Sequence, residues 1–185
     1  MSRQKRKTDL RILAFDTARI TGWAFGGVTG PRQFGSFQMP QTYEAVAPYL
    51  DYFARRAEDL VERFEPTLIA FEAPLLRMRD NPAKLAKLYG LCNAVEMAAW
   101  QHGIPYEQAS LSEIRTHFLG KGWPRDSKRL KILVKVKCRE LGWEVTDDNQ
   151  ADALALLDYM LALERPASAV ASTPLFAKKR TRRAA

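Results

Sequence analysis

Asp16, Glu72 and Asp152 each stand where an apolar element ends or turns, in residues 11–22 (RILAFDTARITG), 67–74 (TLIAFEAP) and 147–157 (DDNQADALALL). A carboxylate set among buried apolar residues is costly unless a cation faces it. Three of them, drawn from separate segments to one point, would hold magnesium, a hard ion that prefers oxygen ligands. Each acid alone has a plainer reading. Asp16 suits a turn, Glu72 a salt-bridged strand terminus, and Asp152 an exposed helix position. One shared role accounts for all three together.

The elements that would carry them follow from hydrophobic periodicity. Residues 10–15 predict a strand, with a turn at 16–20 and a second strand at 21–25. Gly26, Gly27, Gly30 and Pro31 mark a hairpin before a third strand at 33–39. Helical spacing of Val46, Tyr49, Leu50, Phe53, Ala57, Leu60 and Phe64 predicts a helix over 42–64, stopped by Pro66. Residues 67–71 form a compact apolar run of the kind buried on both faces in a parallel sheet. A long helix is predicted over 82–100, with Leu85, Leu88, Tyr89, Cys92, Val95, Met97 and Trp100 as its apolar stripe. A short strand at 106–109 precedes a short helix at 112–118 capped by Ser112, then a glycine loop at 120–126. Residues 128–141 favour a helix, although LKILVKVK also alternates as a strand would. A last strand at 143–145 and a helix at 151–163 complete the order, with Asp147 suited to capping that helix. The result is an α/β domain over residues 10–164 with a mixed sheet, its first three strands antiparallel and the later ones parallel.

Charge is unevenly placed on this chain of 185 residues with net charge +8. Four basic residues crowd positions 3–7 and five crowd 178–183; without those nine, 20 basic groups face 21 acidic ones. Residues 1–9 and 165–185 read as a flexible basic arm and a disordered basic tail. Within the body, residues 115–139 hold nine Lys or Arg and one acid, Asp126. That band and the arms suit a polyanion, because phosphate contacts release counterions; a solvated helix face and solubilising tails are the plain alternatives. Cys92 and Cys138 lack metal-binding spacing and read as reduced thiols. His102 and His117 have no evident partner and read as structural, as do Glu96 and Asp158. No apolar run is long enough for a membrane span and no signal-peptide pattern opens the chain, so a cytoplasmic location is expected.

ILAFDTARITGWAF resembles the opening strand–turn–strand of the RuvC-like Holliday junction resolvases, within the RNase H-like superfamily. LIAFEAP is similar to their second acidic segment, and QADALALL to their C-terminal helix. SEIRTHFLGKGWPRDSKRLKILV resembles the segment that leads to a DNA-contacting lysine. The resemblance spans about residues 10–163 and implies an RNase H-like fold. It further implies a metal-dependent endonuclease that hydrolyses phosphodiesters in branched DNA, a four-way junction, with two Mg2+ or Mn2+ ions per site. On that resemblance Asp16 bridges both ions, and Glu72 and Asp152 each ligate one. Asn149 stands three before Asp152, where the relatives carry an acid or histidine; Asp148 is the rival for that fourth place. Arg115 and Lys128 match basic positions near the active site, with Lys121 and Arg125 in the glycine loop as further DNA contacts. Leu75 matches an aromatic wedge, and Arg77 follows it as a strand guide. A homodimer is implied, the helix at 82–100 being a candidate face, as is a phage or prophage type.

Three other readings compete. FDTARITG also suits the phosphate-binding turn of actin-like ATPases, but that fold repeats its core twice and this chain carries no second copy, so no nucleotide cofactor is expected. Asn149 and Leu75 would fit a DNA-binding module that has lost catalysis. A less selective nuclease, acting on flaps, forks or RNA–DNA hybrids, keeps the chemistry and changes the substrate.

Overall fold

Alternation within two strands decides how the layers form. In β1 (Arg11–Asp16), Leu13 and Phe15 enter one apolar cluster while Ile12 and Ala14 enter another. In β4 (Leu68–Glu72), Ile69 and Phe71 join the first cluster and Leu68 and Ala70 the second. Successive strand residues face opposite sides, so a strand apolar at every position must be covered on both. The computed structural model describes residues 10–43, 45–74 and 81–164. The arm at 1–9, the tail at 165–185, Leu75 and Arg77 lie outside the described residues.

β2 (Ile20–Gly27) and β3 (Gln33–Gln38) add to β1 antiparallel; β4 and then β5 (Tyr106–Ala109) add on its other side in parallel. The sheet order is β3-β2-β1-β4-β5. Helices α1 (Ala47–Phe64) and α2 (Pro82–Gln101) cover one face, through Phe53, Leu60, Leu91 and Val95. Helices α3 (Leu111–Leu119), α4 (Ser127–Glu140) and α5 (Asp148–Glu164) cover the other, through Ile114, Val134 and Leu154. This is the RNase H-like mixed α/β sheet expected from the sequence.

The LKILVKVK ambiguity resolves as helix: Asp126 caps α4 by accepting from the Arg129 amide at 2.7 Å, and Leu130, Val134 and Cys138 make a buried stripe at helical spacing. Other expectations shift. Helix α1 begins at Ala47 rather than 42, because a turn at Thr42–Ala45 intervenes, with Tyr43 at φ 46. Ser110, not Ser112, caps α3, in a reciprocal capping box with Glu113. Residues 143–145 are not a strand; Trp143 stacks on Phe118 and Val145 is buried among the helices of the second cluster. On α2, Met97 and Trp100 are 60% and 80% exposed, and the buried stripe runs instead through Leu91, Cys92, Val95, Ala98 and Ala99. The histidines have partners: His102 Nε2 lies 2.6 Å from Glu58, and His117 Nε2 lies 2.8 Å from the buried Asp158.

Helix α5 lies close to the sheet because small residues meet there, Ala14, Ala24 and Ala70 sharing a cluster with Ala151 and Ala155. The tightest point is Gly22 on β2. A Cβ there would stand 2.0 Å from the Asn149 carbonyl oxygen, inside backbone that cannot give way. Gly22→Ala should therefore lift the N-terminus of α5 from the sheet and cost at least about 2 kcal/mol of stability, read as a lower denaturation midpoint; an unchanged midpoint would mean that α5 has room to move.

Candidate active site

The same alternation aims two of the three acids. Ile12 and Ala14 face α5, so Asp16, next in that series, faces α5 as well; Leu68 and Ala70 set Glu72 likewise. β1 and β4 run parallel with Phe15 beside Phe71, so Asp16 and Glu72 finish neighbouring strands at one end of the sheet. That carboxyl end is where open α/β sheets place their ligands. Asp152, in the first turns of α5, is the third.

Electrostatics tie the three together. Burial pushes the Asp16 carboxyl well above its ordinary range, and Asp152 and Glu72 push it further, against the pull of Lys131. Glu72 rises to about 7, through burial first and Asp152 second, with Arg115 opposing. Asp152 rises to about 6 through burial, with Arg115 and Lys131 opposing. Among the described residues, no group of three or more His, Cys, Asp or Glu side chains is placed to hold a metal ion as it stands. The donor set nonetheless suits a hard cation. It is all oxygen, lies at one sheet end, and holds mutually repelling carboxylates that a divalent ion would relieve.

Around this point the N-terminus of α5 is fastened from three sides. Asp147 caps it, its Oδ1 accepting from the amides of Asn149 and Gln150 at 2.9 Å each. Its Oδ2 accepts from Ser36 on β3 at 2.5 Å and from Gln150 Nε2 at 3.0 Å. Asn149 occupies the first turn with its carbonyl against Gly22. Asp148 is paired with two lysines, Lys131 Nζ lying 3.0 Å and Lys135 Nζ 2.7 Å from its oxygens, which hold its carboxyl below the usual range, and it still pushes Asp152 upward. Behind the strand ends, Cys92 Sγ lies 3.9 Å from the Glu72 carbonyl and 3.8 Å from the Thr17 hydroxyl.

The basic residues divide. Arg115 on α3 acts on both Glu72 and Asp152, its guanidinium lies 5.6 Å from the Trp123 ring, and its buried Nε has no hydrogen-bond partner among the described residues. Lys131 acts on Asp16 and Asp152. Lys128 lies one turn earlier on the exposed surface of α4, and Lys121 and Arg125 are exposed in the loop before it. Sequence reasoning missed Lys131, Lys135, Ser36 and Gly22. The i, i+4 spacing of Lys131 and Lys135 inside the basic band was a readable signal; Ser36 offered none, since its partner lies 111 residues away.

With the geometry in hand, comparison with known proteins is informative at the level of fold. No protein-family model matches the sequence, and no curated protein matches it. Solved structures do. Thermus thermophilus RuvC matches with a TM-score of 0.65 at 17% identity, over 89% of this chain and 100% of that one. T. thermophilus RuvC in complex with a Holliday junction substrate matches with a TM-score of 0.66 at 16% identity, over 86% and 98%. The yeast mitochondrial Holliday junction resolvase Ydc2 matches with a TM-score of 0.55 at 13% identity, over 84% and 79%. The chain therefore has a RuvC-like fold. No helix among the described residues is long and apolar enough to cross a membrane.

The raised carboxyls carry a sign that can be measured. Glu72 and Asp152 bind protons more tightly folded than unfolded, so their contribution to stability is full in acid and is lost as pH rises through about 6 and about 7. Magnesium or manganese should return that stability, so the rise in melting temperature on adding the ion should be larger at pH 8 than at pH 5, and Glu72→Gln should shrink the difference. An ion effect independent of pH would separate these carboxyls from ion binding.

Proposed function

We propose that this protein is a metal-dependent endonuclease that hydrolyses phosphodiester bonds in branched DNA, with a four-way junction as its substrate. The observation that carries the reading is the meeting of Asp16, Glu72 and Asp152 at one sheet end, beside Arg115 and Lys131. The resolvase fold, found in a relative solved with a Holliday junction, supports the choice of substrate.

In this reading Asp16, Glu72 and Asp152 would hold two Mg2+ or Mn2+ ions, and Asn149 would offer a neutral oxygen. Such ions, when bound, supply an activated water and relief of charge on the leaving oxygen. Arg115 presents a fork to the phosphate from the α3 side, fixed by Trp123, while Lys131 presents a point charge from α4. Asp148 keeps Lys131 and Lys135 side by side until phosphate oxygens draw them over. Lys128, Lys121 and Arg125 extend the phosphate track along α4 and its preceding loop.

A homodimer completes the proposal, since a junction with two equivalent strands is cut by two copies related by a two-fold axis. The exposed side chains of Tyr89 and Trp100 on α2, near Met97, and of Tyr106 on edge strand β5, supply an apolar face for it.

Asp16→Asn, Glu72→Gln or Asp152→Asn should lower magnesium-dependent cleavage of a synthetic four-way junction by roughly 100-fold or more, exceeding what loss of outer-shell support costs, with junction binding retained. Flap, fork, RNA–DNA hybrid and linear duplex tested beside it decide selectivity. Binding without cleavage by the unmodified protein would leave a DNA-binding module instead. Lys131→Ala should weaken junction binding and reduce the slope of log K against log salt by about one; a slope matching the unmodified protein would remove Lys131 from the phosphate contacts.

A further inference from the structure

The loop between α3 and α4 frames a shallow groove of about 360 Å³ whose apolar walls the proposed chemistry does not use. Phe118, Leu133 and Val136 give it apolar walls, the last two being 38% and 41% exposed. Trp123 closes one side. Gly120 and Gly122, at φ 82 and 83, leave open space where a Cβ would stand. Lys121 and Lys137 supply positive charge at the rim, Lys137 lying 3.6 Å from Glu140, which also lines the groove. Trp123 belongs to two places at once. Its ring lines this groove and also carries the Arg115 guanidinium, which acts on Glu72 and Asp152.

We infer that this groove is a stacking site for an unpaired nucleotide, a base lying against Trp123 with its phosphates near Lys121 and Lys137. Single-stranded nucleic acid is held where a positively charged groove meets an aromatic face, because every base offers a flat apolar surface. Charge favours that occupant: among the lining residues Lys121 and Lys137 outnumber Glu140, and the flanking residues 115–139 hold nine basic residues and one acidic one. A fully paired duplex hides its bases from such a site, whereas a branch point can present one. The inference rests on the proposed action on branched DNA and deepens it, since a strand gripped by Arg115 would continue past Trp123. The site would then read an unstacked base and so help to choose branched over linear substrates.

Ultraviolet crosslinking of the full chain to a single-stranded oligothymidylate carrying 5-iododeoxyuridine, with the adduct mapped by mass spectrometry, tests this directly. The adduct should fall on Trp123. Leu133→Gln and Val136→Gln, both at exposed positions that a folded chain tolerates, take apolar wall from the base and should each lower affinity for the oligonucleotide measurably, by up to about tenfold where the polar wall expels the base from its stack on Trp123. The salt slope should stay as in the unmodified protein, because no phosphate contact is lost. Adducts confined to other residues, unchanged affinity in both variants, or no binding of the oligonucleotide would overturn the site. So would a change of oligomeric state in the variants on sedimentation, which would make the groove a contact between copies. Junction cleavage without a Trp123 adduct would sink the groove and keep the nuclease; the adduct without magnesium-dependent cleavage would do the reverse.

Discussion

Repulsion among three half-buried carboxylates is the constraint that the rest of this structure answers. Sheet register sets Asp16 and Glu72 on adjacent parallel strands, pointing to the same side, and α5 brings Asp152 against them. Left to themselves such groups would separate or take up protons; burial first, and the neighbouring carboxylates second for Asp16 and Glu72, raise their affinity for protons. Apolar burial on both faces of β1 and β4 holds them in place. A divalent cation bound there, as the proposed function requires, would relieve that cost.

The surrounding positive charge is placed in layers around that point. Arg115 and Lys131 stand close enough to offset part of the repulsion, from α3 and α4 respectively. Both helices are anchored against α5, α3 by the buried His117–Asp158 pair and α4 by the ion pairs of Lys131 and Lys135 with Asp148. The basic side chains and the acids thus share one frame, because α5 is common to both. A buried pair such as His117–Asp158 contributes orientation more than stability. Here the orientation it sets is that of the helix bearing Arg115.

Much of this was readable beforehand. Asp16, Glu72 and Asp152 stood out because each interrupts an apolar pattern, and the strand–hairpin–strand opening announced itself through its glycines. The boundaries that slipped were those where a local contact overrode periodicity: the turn ahead of α1, the Ser110–Glu113 box that starts α3, and Trp143, which stacks on Phe118 rather than joining the sheet. On α2, counting apolar residues overstated the core. Met97 and Trp100 follow the composition of a buried stripe, but face away from it.

The chain's residue order alone determined most of the element types and singled out the three acids as candidates, because period and polarity are properties of neighbours along the chain; residues 143–145 and the alternating run in α4 are the exceptions. Which lysine reaches the acids, whether Asp148 faces them or pairs with Lys131 and Lys135, and why position 22 is glycine were decided only by packing. Those answers depend on distances between separate elements, some of them more than a hundred residues apart, as for Gly22 against Asn149 and Ser36 against Asp147. Such distances exist only once α5 has closed on the sheet.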